Sequence, residues 1–302
     1  MAVSGGPDSL GMLALAARAF PGRVEAATVD HQLRPESADE AAMVARVCAV
    51  LGIPHATLKV EVPSTGNSQA NARAARYRAL GDWARLRGLP VVATAHHADD
   101  LAETLLMRLN RGAGLKGLAA MRRERPMPMA QDVRLVRPLL DWRRSQLAEL
   151  CERAGLSPAR DPSNEDESYE RARIRAAMAR QDWLKPANLA QSATHLRAAL
   201  EALEHVVDRE LAARIEWSGD GSAAYRPSPD PLPRAILYHV MERLLETLGT
   251  AGGAPRGAEI DRLLTALESG GGGTLAGLQY RARGGPDGPV WSFTPEPPRK
   301  TG

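Results

Sequence analysis

Ser4-Gly5-Gly6-Pro7-Asp8-Ser9 stands between a short apolar run, Met1-Ala2-Val3, and a helical pattern begun by Leu10, Leu13, Leu15 and Ala16. Paired glycines let a backbone approach a ligand closely, and the free N–H groups of a helix's first turn form an anion site suited to phosphate. The hydroxyls of Ser4 and Ser9 add donors. Ser-Gly-Gly alone fits a plain turn as well, since glycine and serine dominate turns; the whole hexapeptide is more specific. It lacks the Gly-Lys-Ser/Thr ending of the Walker A loop, which argues against cleavage between β and γ phosphates of the motor or GTPase type. Met1-Ala2-Val3 is short for a buried first strand, so we expect the sequence as given to begin late.

Outward from this loop, residues 1 to about 105 alternate short apolar runs with helical patterns, the signature of βαβ units around a parallel sheet. Val24–Val29 reads as a strand ending at Asp30-His31, followed by a helix over about 37–51 that stops at Gly52-Ile53-Pro54. His55–Val62 is the next strand, 71–87 the next helix, and Leu89–Ala95 a strand that empties into His96-His97-Ala98-Asp99-Asp100, which opens a helix through about Leu109. Polar clusters at carboxyl ends of parallel strands are where open α/β sheets carry their sites. Residues 112–140 read as a loop-rich annex, followed by a helix over about 143–154 and the polar stretch Asp161–Asp166. We expect an α/β, Rossmann-like catalytic domain over 1–185. A smaller, mostly helical domain is expected over 186–302, with strand-like patches between Thr274 and Ser292 and a disordered Pro-rich tail.

Composition agrees. With 302 residues and 44% apolar side chains, two cores are affordable, and 4% aromatics favours helices and buried strands over an all-β sandwich. A net charge of +3 tilts toward a polyanionic partner without requiring one. Two cysteines far apart, Cys48 and Cys151, make neither a disulfide framework nor a CxxC site, which suits a reducing compartment. No apolar run approaches a bilayer's width and no secretory pattern opens the chain. We expect a soluble, cytoplasmic protein without a membrane partner.

Four further clusters carry chemistry. Asp30, within Val29-Asp30-His31-Gln32-Leu33-Arg34, could hold Mg²⁺ against phosphates, or could cap a helix. Asp100 and Glu103 stand i to i+3 near a helix start, where both carboxylates could grip an ammonium group or simply suit the helix dipole. His96-His97 has no third ligand at metal-site spacing. In Asn71-Ala72-Arg73-Ala74-Ala75-Arg76-Tyr77, Arg73 and Arg76 share a face that is either solvated or anion-binding. Arg108 through Leu118 joins a Gly-rich loop to positive charge, extended by Arg122, Arg123, Arg125, Arg134 and Arg137, a candidate phosphate-backbone contact.

The hexapeptide resembles the phosphate loop of the N-type ATP pyrophosphatases. Together SGGPDS, VDHQLR, NARAARY, HHADDLAET, RGAGLKGLAAM, RPLL and DPSNEDESYERARIR resemble, in order over residues 1 to about 175, the motif series of the tRNA(Ile)-lysidine synthase family. One departure is Arg171-Ala172-Arg173, where the family pattern has Arg-Asn before the last Ile-Arg. The resemblance implies adenylation by ATP of the C2 oxygen of the wobble cytidine in a CAU anticodon, with release of diphosphate. Free L-lysine then attacks C2 through its ε-amine, expelling AMP and leaving lysidine, so that decoding and charging switch from methionine to isoleucine. It further implies that Ser4, Gly5, Gly6, Pro7, Asp8 and Ser9 bind ATP, with Arg111, Gly112 and Gly114 bordering ATP and the cytidine. Asp8 and Asp30 would place Mg²⁺, Asp100 and Glu103 would hold lysine, and Arg76 would contact lysine or the reacting nucleotide. The implied partners are tRNA(Ile), ATP and lysine, with a homodimer left open; the second domain is expected to grip the tRNA. The rival readings are a base-thiolating enzyme of the same loop class, for which paired cysteines are lacking, and an ATP-sensing module without chemistry.

Overall fold

Short buried strands joined by amphipathic helices build the first half of the chain as the alternating pattern requires. The computed structural model describes residues 1–32, 36–63, 68–119, 121–159, 168–249, 255, 257–285 and 288–296. The segment Leu33-Arg34, the polar stretch Asp161–Asp166 and the Pro-rich tail beyond Glu296 lie outside the described residues. Two compact units divide at Arg197/Ala198. The expected boundary stood at 186, where a proline opens a helix; that helix, Pro186–Arg214, carries the division inside it.

In the first unit the order is α1 (Pro7–Ala19), β1 (Ala26–Asp30), α2 (Glu36–Val50), β2 (His55–Lys59), α3 (Ser68–Leu86), β3 (Val91–Ala93), α4 (Ala98–Leu109), α5 (Leu115–Leu118), β4 (Glu124–Met127), β5 (Ala130–Val136), α6 (Arg144–Arg153), α7 (Glu170–Arg180) and the first part of α8 (Pro186–Arg214). β1 pairs parallel with β2, Ala26 opposite His55 through Asp30 opposite Lys59. β3 pairs parallel with β5, and β4 pairs antiparallel with β5. The stub Met1–Val3 stitches the two sets: Ala2 bridges Ala27 in parallel, Val3 N donates to Ala27 O at 2.9 Å, and Ala2 N donates to Ala93 O at 2.9 Å. The resulting order β2, β1, stub, β3, β5, β4 is parallel except at β4, and puts the loop after the stub at the middle of the carboxyl edge.

The 112–140 segment is a correction to the sequence reading. It folds as the β4–β5 hairpin rather than as an annex of loops, and β5 is a full sheet strand. Its inward residues Val133 and Leu135 alternate with exposed Asp132 and Arg134, while Pro126 and Pro128 mask the pattern nearby. A second segment absent from the sequence reading is the helix α7. Helices cover both faces: Leu10, Leu13, Val44 and Leu147 fill one core, and Tyr77, Leu80, Val92 and Leu135 the other. Each buried leucine contributes about 2 kcal/mol through removal from water.

The second unit holds the rest of α8, β6 (Ile215–Trp217), β7 (Ala223–Tyr225), α9 (Arg234–Leu248), α10 (Gly257–Glu268), β8 (Gly272–Leu275), β9 (Leu278–Gly285) and β10 (Gly288–Pro295). The five strands form one antiparallel sheet in the order β6-β7-β10-β9-β8, more strand than the expected helical domain allowed. Its core joins Tyr225, Leu244, Ile260, Leu263, Trp291 and Phe293. Among the described residues no helix is long and apolar enough to cross a membrane.

Candidate active site

The loop after the stub is shaped by its own side chains. Gly5 has φ +89°, a conformation side chains rarely adopt, and a Cβ there would stand 3.1 Å from the Met43 methyl. Ser4 N donates to Ser9 Oγ at 3.1 Å, and Ser9 Oγ donates to Gly6 O at 3.0 Å, closing the loop into a ring. Gly5 O accepts from Ala159 N at 3.0 Å, tying the ring to the segment after α6. Pro7 takes the first helical position of α1, and Gly6 caps the helix with no side-chain hydrogen bond, so the first-turn N–H groups remain for an anion.

A cavity of about 520 Å³ opens over this loop. Of the residues expected at the site, Ser4, Gly6, Pro7, Asp8, Arg76 and Asp100 line it. They are joined by His31, Glu40, Arg144, Arg171 and Arg175, which sequence reasoning had not singled out. Gly5 and Ser9 serve the cavity from beneath as the loop's bend and brace.

His97 connects the two aspartates. It is 2% exposed, its Nε2 3.4 Å from Asp8 Oδ2 and 3.5 Å from Asp100 Oδ2, and its Nδ1 3.6 Å from Asp99 Oδ2. Burial disfavours the charged ring, but the bond to Asp8 and the charges of Asp100 and Asp99 outweigh it and hold the pKa above the usual histidine value. Asp100 also accepts from His97 N at 3.0 Å, half of a capping box that starts α4. The sequence marked this histidine only as a poor zinc ligand; its sole advance signal was its place at a strand end before two acids.

Asp30 is 4% exposed and does not line the cavity. Its Oδ1 accepts from Ser37 Oγ at 2.7 Å and Gln32 N at 2.9 Å, and these bonds, Ser37's first, hold its carboxyl below the usual range. These bonds are not those of a helix cap, since neither donor is a backbone N–H of α2; through the Ser37 hydroxyl Asp30 ties the end of β1 to the first turn of α2. Glu103, 1% exposed, is also off the cavity wall. Its carboxylate accepts from Arg175 at 2.7 and 3.2 Å and stands 3.3 Å from Arg171, locking α7 to α4 and aiming both arginines at the cavity. Arg171 and Arg175 are four apart on α7, the spacing that could have revealed them. Ala172, at the departure from the family pattern, is buried on the same helix.

Arg111, Gly112 and Gly114 are not brought to this cavity. They form the turn between α4 and α5, with Arg111 ion-paired to Glu170 and Gly112 at φ +67°. Arg76, half-buried and without an acidic partner among the described residues, has its pKa lowered by desolvation. His96 beside it is pushed down to about 2 by burial and by Arg137, Arg76, Arg73 and Arg171, and is a neutral ring at physiological pH.

The arrangement combines a phosphate loop, an unpartnered guanidinium and an aspartate within one polar cavity, a geometry able to hold a nucleotide beside an ammonium group. Residues 1–182 match the PP-loop domain family. The chain is 50% identical over its full length to the tRNA(Ile)-lysidine synthase of Novosphingobium aromaticivorans, covering 90% of that protein. It is 41% identical over 99% of its length to the tRNA(Ile)-lysidine synthase of Zymomonas mobilis, covering 89% of it. Among solved structures, the U34-tRNA thiolase NcsA of Methanococcus maripaludis is similar in fold, with TM-score 0.54 and 17% identity over 66% of this chain and 70% of that one. Matched by family, by sequence across both units and by fold, the chain belongs to the tRNA(Ile)-lysidine synthase family of PP-loop proteins.

Proposed function

We propose that this protein uses ATP to join lysine to C2 of the wobble cytidine in tRNA(Ile) with a CAU anticodon, through an adenylated cytidine, releasing diphosphate and then AMP. The observation that carries this reading is the single cavity lined at once by the Ser4–Gly6 loop, Arg76 and Asp100. The loop's N–H groups and the N-terminus of α1 take the ATP phosphates. Adenylation turns the C2 oxygen into a leaving group, so the second step needs only a neutral amine held close to C2.

Asp100 lines the cavity and makes no ion pair with arginine or lysine among the described residues, which suits it to orient the substrate's ammonium. Glu103 supports the same site indirectly: with its charge committed to Arg175, it acts as a positioning residue, and direct contact with lysine would require that pair to open. Arg76 lines the same cavity, where its guanidinium would meet the nucleotide or the lysine carboxylate. Holding the substrates in one cavity supplies proximity, the main contribution open to an enzyme of this kind.

Mg²⁺ fits at Asp8. Its Oδ1 is buried without a hydrogen-bond partner and its side chain lines the cavity, and a hard cation accepts one carboxylate together with phosphate oxygens. Asp30 fits less well, its Oδ1 being held by Ser37 and Gln32. The cation would neutralise charge on the departing diphosphate. The base-thiolating reading has no support in the cysteines: Cys48 and Cys151 are both buried and free, with thiol pKa values raised by burial.

Diphosphate release tests the first step. We expect it to require ATP together with the unmodified tRNA and to proceed without lysine; release that ignores tRNA would contradict adenylation of the base.

A further inference from the structure

At the carboxyl edge of the sheet, on the far side of β3 from the phosphate loop, Arg73, Arg76 and Arg137 gather around Tyr77 and the neutral His96, with Arg125 beside Arg137. Arg73 Nη2 donates to Tyr77 Oη at 3.0 Å, and its guanidinium carbon lies 4.9 Å from the Tyr77 ring centre. Arg137, the residue after β5, is 3% exposed, its Nη1 donating to Arg122 O at 2.6 Å while its Nε is buried without a partner. Arg125, opposite Leu135 on β4, likewise has a buried Nε with no partner. Arg76, on the same helix as Arg73, opens into the cavity. Among the described residues none of the four pairs with a carboxylate, whereas Arg171 and Arg175 share Glu103.

A buried guanidinium with an unused donor and no counter-ion is costly unless a ligand supplies the charge. Three elements, α3, β4 and β5, converge here: Arg73 is exposed on α3 but held over the Tyr77 ring, whereas Arg125 and Arg137 bring the buried, unused donors from the strand side. We propose that Arg73, Arg125 and Arg137 form a seat for a backbone phosphate of the tRNA beside the reacting cytidine, an inference that rests on the reading of the substrate above. The strands β3 and β5 stand one and two spacings from the stub, which sets the seat roughly 5–10 Å from the phosphate loop. That offset suits the chain flanking a base drawn into the cavity. The ATP phosphates have their own loop, and a single lysine carboxylate would leave most of this charge unmatched.

Equilibrium binding of fluorescent, unmodified tRNA(Ile) to the whole protein, without ATP or lysine and across a salt series, tests the seat directly. Arg125→Gln and Arg73→Gln, less buried than Arg137 and checked by thermal melting, are expected to raise Kd about ten-fold each and to flatten the salt dependence by about one counterion. Arg87→Gln, whose guanidinium pairs with Glu25 at the opposite edge of the sheet, is expected to bind as the parent does. Unchanged tRNA affinity and salt slope in both variants would overturn the proposal. So would a raised KM for lysine with tRNA binding intact, which would make this a carboxylate seat. Because binding is read without turnover, failure of lysine transfer in the parent protein would refute the substrate reading and leave this test standing.

Discussion

Gly5 holds φ at +89° with the Met43 methyl waiting 3.1 Å from where a Cβ would stand. Gly5→Ala should therefore cost about 1–2 kcal/mol in folding stability and distort the loop that takes phosphate. Urea melts and ATP binding should both register the change, and a variant that bound ATP as tightly as the parent would show the loop to be less constrained than described. At this scale the sequence spoke clearly where a residue's chemistry is local, as in the Ser4–Ser9 loop, whose conformation follows from glycine, proline and a helix start. It spoke poorly where a side chain's role depends on what arrives from elsewhere. Asp30 and Glu103 are both acids at the right strand or helix end, yet one is held by Ser37 and Gln32 and the other by Arg175. His97 gained its meaning only when Asp8, far earlier in the chain, was folded against it.

Between elements, carboxylates do the fastening. Asp99, near the start of α4, accepts from Arg143 Nη2 at 2.8 Å and from Arg144 N at 2.9 Å, fixing α4 to α6. Burial would raise its pKa, but these bonds outweigh burial and lower it. A carboxyl lowered in the fold stabilises fully above its unfolded pKa, about 3.9, and loses that contribution as pH falls toward the folded value. Asp99→Asn is accordingly expected to cost about 1–2 kcal/mol at pH 6 and progressively less as the pH falls below about 4, read by chemical denaturation across that range. A cost that does not change across that range would assign the loss to packing instead. Glu103→Gln leaves Arg175 and Arg171 facing each other without their shared acid, at a cost of about 2 kcal/mol given that both arginines keep some solvent contact. The expected kinetic mark is a lowered kcat from misaimed arginines, with a melting temperature that falls in step. The helices α1 to α4 and strands β1 to β3 were legible because each carries its own period and its own stop. The β4–β5 hairpin was not, since Pro126 and Pro128 suggest a loop and the pairing that makes β5 a strand is with β3, some forty residues away.

At the scale of the molecule, the second unit has a core of its own and, among the described residues, none that lines the cavity of the proposed active site. Its sheet was hard to foresee because β8 and β9 are glycine-rich at their ends and because the shortest strands, β6 and β7, pair with each other and join the rest of the sheet only where β7 meets β10, some sixty residues later. Leu244→Ala, at a site with no solvent exposure, should destabilise this unit by about 3 kcal/mol, read as a lowered melting temperature. Removal of 198–302 should weaken tRNA binding at least about ten-fold if this unit grips the tRNA body, a loss of roughly 1.4 kcal/mol; full affinity in the shortened protein would assign the whole grip to the first unit. The central claim is lysine transfer, and its most direct test is incubation of the protein with ATP, Mg²⁺, radiolabelled lysine and unmodified tRNA(Ile) bearing CAU, followed by counting label in the RNA. The account predicts ATP-dependent incorporation at one cytidine that falls at least about a hundred-fold in Asp100→Ala, a loss of roughly 2.7 kcal/mol in transition-state stabilisation. Diphosphate release with no lysine in the RNA would contradict it.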